Sequence, residues 1–489
     1  MSLAAPFASE RRSAAPTSYA PAPLALALAV FALCAFAPAV LNDGDTFSHV
    51  ATGQWILDHR AIPHADPFSF SFAGAPWTAH EWLSEVFLAL AYRAAGWVGV
   101  MLLTGAAAAL GAYIVARRIV LELAGPAGLV LAFVSLSMIA PVLLARPHIL
   151  ALPCVALWAS ALFEARARRR APPLFLAALR LMWANLHGGF AFGLALIVPF
   201  ALEAIFVAPA PDRGNRAKGW ALLFGASLIA ALATPFGIEG LLFPLKLLGN
   251  AQLANIGEWR AEDFSHPGPL EIFLLGLLGF ALLKPLRLPA LSAAMLVGLI
   301  HLSLQHSRHE LLLAVVAPML LARPIGEALQ AGAPARPASP RLVVGALMAA
   351  LALTGARLAL PAPSLDSLSA PSRALAAVPP ELRAKNVLNG YGDGGYLIFA
   401  QVRPFIDGRA DMFGADFMSF YNRVASGEPD AIDDTLKRYE IAWTIFPPNQ
   451  GAVGIMDREP GWKRLYSDSH AVVHVRDGAL GPAMGLRGD

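Results

Sequence analysis

"PLALALAVFALCAFAPAVLNDGDTFSHV", residues 23–50, decides how the rest of the chain is to be read. From Pro23 to Leu41 there is no charged side chain, and a helix of that length covers about 30 Å of hydrocarbon. Hydrophobicity then stops at Asn42, Asp43 and Asp45, with His49 close behind. The stretch reads as a membrane anchor that delivers an acidic cluster to the water interface.

The same composition continues beyond it. Of 489 residues, 57% are hydrophobic and 15% charged, with mean hydropathy +0.56. A soluble protein carries about 25% charged residues. We expect an α-helical polytopic membrane domain over residues 1–360 with an outer first loop at 42–96. Its transmembrane helices, about eleven in number, fall near 23–41, 97–116, 125–145, 148–165, 172–184, 187–207, 219–236, 269–284, 288–304, 309–322 and 342–360. The first follows Arg11 and Arg12 without a small-residue cleavage pattern and reads as a retained helix, although an uncleaved signal anchor has the same signature. Placing the N-terminus in the cytoplasm puts Arg117, Arg118, the arginines of 166–170, Arg213 to Lys218, Lys284, Arg287 and Arg323 inside, as the positive-inside rule requires. The protein is then a multi-pass protein of the inner (plasma) membrane with its C-terminal domain, 361–489, extracytoplasmic. Cys34 and Cys154 lie within apolar spans, which excludes a disulfide framework or a zinc–thiolate site. A net charge of +3 gives no footing for nucleic acid.

All twelve histidines fall on or near the outer side in this threading. Longer outer loops would collect more of every polar residue, yet the inner connections hold many polar residues and no histidine. In the first outer segment, "DTFSHVATGQWILDH" predicts a helix capped by Asp45 or Thr46, with Asp45 and His49 one turn apart. "HEWLSEVFLALAY" predicts a second, with Trp82, Leu83 and Val86 on one side and His80, Glu81, Ser84 and Glu85 nearer the other. Both are expected to lie in the interface, joined by the Pro/Gly-punctuated "IPHADPFSFSFAGAPW", a turn region or short extended pair. Later outer ends add Arg146 and His148, then Asn185 and His187, then Glu258, and finally His306, Arg308 and His309. A lone His or Arg at a helix end is more often a snorkelling residue. So many ionisable groups on one side are costly unless they line a wet cavity, and one outward-facing pocket is expected.

Asp43-Gly44-Asp45 leaves alternatives open. Two carboxylates flanking glycine can share a divalent cation, place one of them as a general base, or simply form a turn with Asp45 as helix cap. A first outer loop that opens with such an acidic element after helix one and continues into interfacial helices resembles the GT-C class of membrane glycosyltransferases. The pair "DTFSHVATGQWILDHRAIPHADPFSF" and "WANLHGGF", with "GGYLIF" and "FIDGRADMFG" nearer the end, is similar to bacterial GT-C-like membrane proteins without an assigned substrate. The resemblance implies transfer of a sugar from a polyprenyl-phosphate donor at the outer membrane face to a lipid, glycan or protein acceptor. It implies Asp45 or Asp43 as base, with His49 orienting it, and Arg146, Arg308 and His309 at the donor phosphate. His148, Asn185, His187, Glu258 and His306 would line the pocket. Gly44 between the acids departs from the adjacent acidic pair of the mannosyltransferases, which leaves open which Asp is the base and whether a metal at Asp43 and Asp45 takes part. No cofactor is required by the sequence.

After an Ala/Pro-rich inner linker at 324–341, the last 130 residues alternate short patterns: strands at Ala442–Phe446 and Ala471–Val475, and helices at Ser372–Ala377, Ala415–Ala425 and Asp433–Tyr439. They indicate a small α/β domain. "RPFIDGRAD" reads as a buried strand running into a charged turn, either a ligand site or a turn in which Asp407 and Arg409 satisfy one another. "GYGDGGY" does not spell a nucleotide loop. A transporter or flippase for a lipid-linked or anionic substrate is the alternative function, with breaks at "HGG" and "TPFG" as its helix interruptions. The outward position of the ionisable groups and the lack of an internal repeat favour the enzyme.

Overall fold

The computed structural model describes residues 21–248, 257–331 and 338–480. Arg11, Arg12 and part of the inner linker lie outside the described residues. Among the described residues, thirteen α-helices lie before position 361: α1 (Ala22–Phe36), α2 (Gly44–His59), α3 (Trp82–Glu122), α4 (Pro126–Ile139), α5 (Pro147–Ala167), α6 (Ala177–Leu186), α7 (Phe190–Phe206), α8 (Arg213–Leu232), α9 (Gly237–Leu248), α10 (Pro269–Leu283), α11 (Ala290–Gln305), α12 (Glu310–Ala328) and α13 (Pro340–Ala359). Every apolar segment named from the sequence coincides with a helix, but four are by themselves long and apolar enough to cross a membrane, among the described residues. Six more are shorter apolar helices, and α8 with α9 forms a pair bent by 99°. Phe133, Ile229, Leu282 and Leu283 point outward from the bundle, more than 60% exposed, an arrangement that suits contact with lipid tails.

One local expectation is corrected. The cap of α2 is Asp43, whose Oδ1 accepts the Asp45 N–H at 2.8 Å, so Asp45 is freed from capping and stands in the first turn. The amphipathic stretch after His80 forms a helical segment of its own, and the second apolar segment follows it within α3 across the non-helical Ala95 and Gly96, where Gly96 takes φ +56°. Between α2 and α3 the expected extended pair reduces to one bridge, Ala65 with Pro76.

The C-terminal sheet has strand order β1-β2-β4-β3, with β1 (Val387–Asn389), β2 (Trp443–Phe446), β3 (Trp462–Ser467) and β4 (Val472–Arg476). β1 and β2 are parallel; the other pairs are antiparallel. Side chains alternate between two buried faces: Val387, Ile445 and Val473 pack with Ala374 and Leu382, while Leu388, Phe446 and Val472 pack with Tyr421, Ile432 and Met456. Helices α14 (Ser372–Ala377), α15 (Pro380–Arg383), α16 (Gly394–Phe399), α17 (Ala410–Ser426), α18 (Pro429–Arg438) and α19 (Gly451–Met456) surround it. "RPFIDG" is not a strand. Its amides are taken by a side chain instead: Asn389 Oδ1 accepts from Phe405 N, and Asn389 Nδ2 donates to the Ile406 carbonyl.

This sheet is joined to the helical bundle by backbone touching backbone. A Cβ on Gly44 would lie 2.2 Å from the Gly392 carbonyl oxygen, and one on Gly395 would lie 2.0 Å from that of Gly44. Around the contact, Phe47 of α2 meets Tyr396 and Phe399 of α16, edge on, at 5.3 and 6.0 Å. "NDGDT" and "GYGDGGY" are therefore two halves of one joint.

Candidate active site

Two chambers meet under that joint. One, of about 350 Å³, is walled largely by apolar side chains of the bundle, among them Phe192, Phe243, Leu311 and Leu312. The other, of about 480 Å³, is lined by Asp43, Asp45, His49, Trp77, Tyr391 and Asp411 and is roofed by the C-terminal residues. Glu81, Arg146, His148, Glu258, Trp259 and Arg308 border both. They form the wall between an apolar space and a polar one.

The wall is an ion network. Arg146, at the start of α5, lies 2.8 Å from Asp45 Oδ2, 3.5 Å from Asp43 Oδ2 and 3.2 Å from Glu258 Oε2. Arg308 stacks over Trp259 at 4.1 Å and meets Glu258 Oε1 at 3.4 Å. The resemblance gave Arg146 to the donor phosphate and Asp45 or Asp43 the role of base; the structure makes them partners. Arg146 is committed to three carboxylates, and Arg308 is the guanidinium with more to give. Burial lifts the Asp45 carboxyl to about 6, against the pull of Arg146.

A second cluster centres on Glu81, which the sequence offered only as one polar residue of an amphipathic stretch. Its carboxylate faces His49 Nε2 at 3.7 Å, His80 Nε2 at 3.6 Å and His187 Nε2 at 3.5 Å. His187 Nδ1 accepts the Gly189 N–H, so its proton sits on Nε2, toward Glu81. His49 Nδ1 lies 3.2 Å from Glu85 Oε1. Burial raises the Glu81 carboxyl to about 7 and lowers His80 to about 4, leaving a neutral imidazole beside it at neutral pH.

Of the remaining expected pocket residues, His148 and His187 line the apolar chamber, as does His309, whose Nδ1 donates to the Leu302 carbonyl. Asn185 and His306 do not reach either chamber. The Asn185 amide is used within the bundle, accepting from Trp82 Nε1 and donating to the Leu181 and Ala233 carbonyls, and His306 donates to the Trp259 carbonyl. One oxygen of Asp43 and one of Asp45 face the Arg146 guanidinium, so a cation shared by the two carboxylates there would have to displace Arg146. Among the described residues, the one His/Asp group close enough to hold an ion is Asp366, Asp468 and His470, at the sheet and away from both chambers.

The C-terminal residues reach the site through "FIDGRAD". Arg409 forms a paired contact with Asp407, bonds Asp66 Oδ1 at 2.7 Å and packs against the rings of Trp77 and Phe68. Of the two readings of this turn, mutual satisfaction holds, extended to Asp66 in the loop between α2 and α3. It seats Gly408 against Asp45, where a Cβ would fall 1.8 Å from Asp45 Oδ1. Gly408→Ala is therefore expected to displace Asp45 and remove activity while the sheet still folds. Activity and circular dichroism of that variant check this together.

These features define a fold class: a helical bundle whose first long loop carries acids after the first apolar helix, covered by C-terminal residues, which is the fold of the GT-C membrane glycosyltransferases. The archaeal oligosaccharyltransferase AglB of Archaeoglobus fulgidus, in complex with an inhibitory peptide and a dolichol-phosphate, superposes with TM-score 0.54 at 12% identity, over 87% of this chain and 69% of that one. The apo form of an oligosaccharyltransferase from the same organism gives TM-score 0.54 at 13% identity, over the same shares of both chains. ArnT of Cupriavidus metallidurans bound to undecaprenyl phosphate is a weaker match, TM-score 0.48 at 13% identity, over 95% of this chain and 99% of that one. No protein-family model matches the sequence, and no curated protein matches it.

Proposed function

We propose that the protein is an inverting membrane glycosyltransferase that moves a sugar from a polyprenyl-phosphate carrier to a lipid, glycan or protein acceptor at the outer face of the membrane. The observation that carries this is the meeting of an apolar and a polar chamber at a wall of arginines and carboxylates. A lipid-linked sugar is divided in the same way, into hydrocarbon, phosphate and sugar. The dolichol-phosphate held by AglB has two of these three parts, the hydrocarbon and the phosphate. In this reading the prenyl tail lies along Phe192, Leu311 and Leu312, the phosphate at Arg308 and Arg146, and the sugar in the polar chamber.

Asp45 takes the proton of the acceptor hydroxyl. The acceptor oxygen bonds to the anomeric carbon as the bond from that carbon to the phosphate oxygen breaks, and the electron pair leaves on the lipid phosphate. Charge grows there, beside the two guanidiniums that can stabilise it. One displacement inverts the anomeric configuration. Eleven crossings with the N-terminus inside put the acids and residues 361–489 on the outer side, where the C-terminal domain would cover the sugar and engage the acceptor.

The test is reconstitution with polyprenyl-phosphate sugars. Arg308→Ala is expected to raise the donor KM about tenfold or more, as loss of a charge-assisted phosphate contact should. Movement of intact donor across sealed vesicles without sugar transfer would replace this function with the transporter.

A further inference from the structure

We infer that the Glu258 carboxylate occupies the donor phosphate's position in the donor-free protein and is displaced when the lipid phosphate binds. This rests on the phosphate site proposed above. Glu258 offers one oxygen to each guanidinium, Oε2 to Arg146 at 3.2 Å and Oε1 to Arg308 at 3.4 Å, which is how a phosphate would bridge the same pair. Both chambers open onto this carboxylate.

Counting charges shows why it must leave. Asp43, Asp45 and Glu258 already set three carboxylates against Arg146 and Arg308. Arg409, the other guanidinium of the polar chamber, is taken by Asp66 and Asp407. A phosphate added with Glu258 in place would crowd a fourth anion onto two cations. Exchanging Glu258 for phosphate keeps both guanidiniums paired.

Of the three carboxylates, Glu258 is the one free to move. Asp43 is fixed as the cap of α2, and Asp45 is covered by the Gly408 backbone. The Glu258 side chain is 34% exposed, and its backbone is held independently by the turn before α12: Ser307 Oγ donates to the Glu258 carbonyl and Ser307 N to that of Arg260. The carboxylate can swing out while the segment stays in place. Such an occupant sets a threshold that a small free anion does not meet and that a phosphate carrying an apolar tail does.

The experiment compares wild type, Glu258→Gln, Glu258→Ala and Arg308→Ala, each full length in lipid nanodiscs and checked by thermal unfolding. Binding of polyprenyl phosphate and of inorganic phosphate is measured, with donor KM and kcat for transfer. Both Glu258 variants are expected to bind polyprenyl phosphate about tenfold more tightly, to lower KM more than they change kcat, and to bind inorganic phosphate that wild type does not hold. A merely structural Glu258 would give weaker binding in its variants. If the Glu258 variants bind no tighter while Arg308→Ala weakens binding, the displaced carboxylate is overturned and the phosphate site stands. If none of the three changes binding, the phosphate site itself fails, and this inference with it.

Discussion

Asp45→Asn is expected to lower sugar transfer by about 10²- to 10⁴-fold, the range a positioned general base supplies. The fold should survive, because the cap of α2 is Asp43 and not Asp45. Asp43→Asn is the built-in comparison: asparagine caps as well as aspartate, so this variant should keep α2 and lose far less activity. The pH profile gives an independent sign. Burial pushes Asp45 up to about 6, and the form that accepts a proton is the ionised one. Transfer should therefore rise with pH through about 6 and level off above it, and Asp45→Asn should lose that rise. A wild-type profile flat across pH 5–7 would remove Asp45 as the base.

Arg409→Ala should have the largest effect on stability. It would leave Asp66 and Asp407, both buried, without their shared cation, and breaking a buried pair from one side costs about 3–5 kcal/mol. Because Arg409 ties the loop between α2 and α3 to the C-terminal residues, both should loosen together, with a lower unfolding temperature and earlier proteolysis between residues 60 and 80. Arg409→Lys should not rescue it, since a single ammonium cannot serve the paired contact with Asp407 and the bond to Asp66 at once. Unchanged unfolding in both variants would mean the contact is not what fastens the roof.

Much of the bundle was legible because apolar runs and arginine-marked ends are local signals. The site was legible in part. Asp45, His49, Arg146, Glu258 and Arg308 do converge, since so many ionisable groups on one side need a common wet space. What could not be read was who pairs with whom. Arg146 looked like a free cation for phosphate, and only the tertiary fold brings Asp43, Asp45 and Glu258 onto it. Glu81 was hidden in a helix pattern, because two of its three histidine partners, His49 and His187, come from other segments. The absent strand at "RPFIDG" has a similar cause: Asn389, some sixteen residues earlier, supplies the hydrogen bonds that a neighbouring strand would have given. Gly44, Gly395 and Gly408 were the sequence's trace of the joint, since so close an approach admits no Cβ.

The most direct test of the central claim is a density map of the protein with polyprenyl phosphate bound. The phosphate is expected within hydrogen-bonding distance of Arg308, next to Arg146, with the prenyl chain in the apolar chamber along Leu311 and Leu312. Lipid phosphate bound elsewhere, with the wall between the two chambers unchanged, would contradict it.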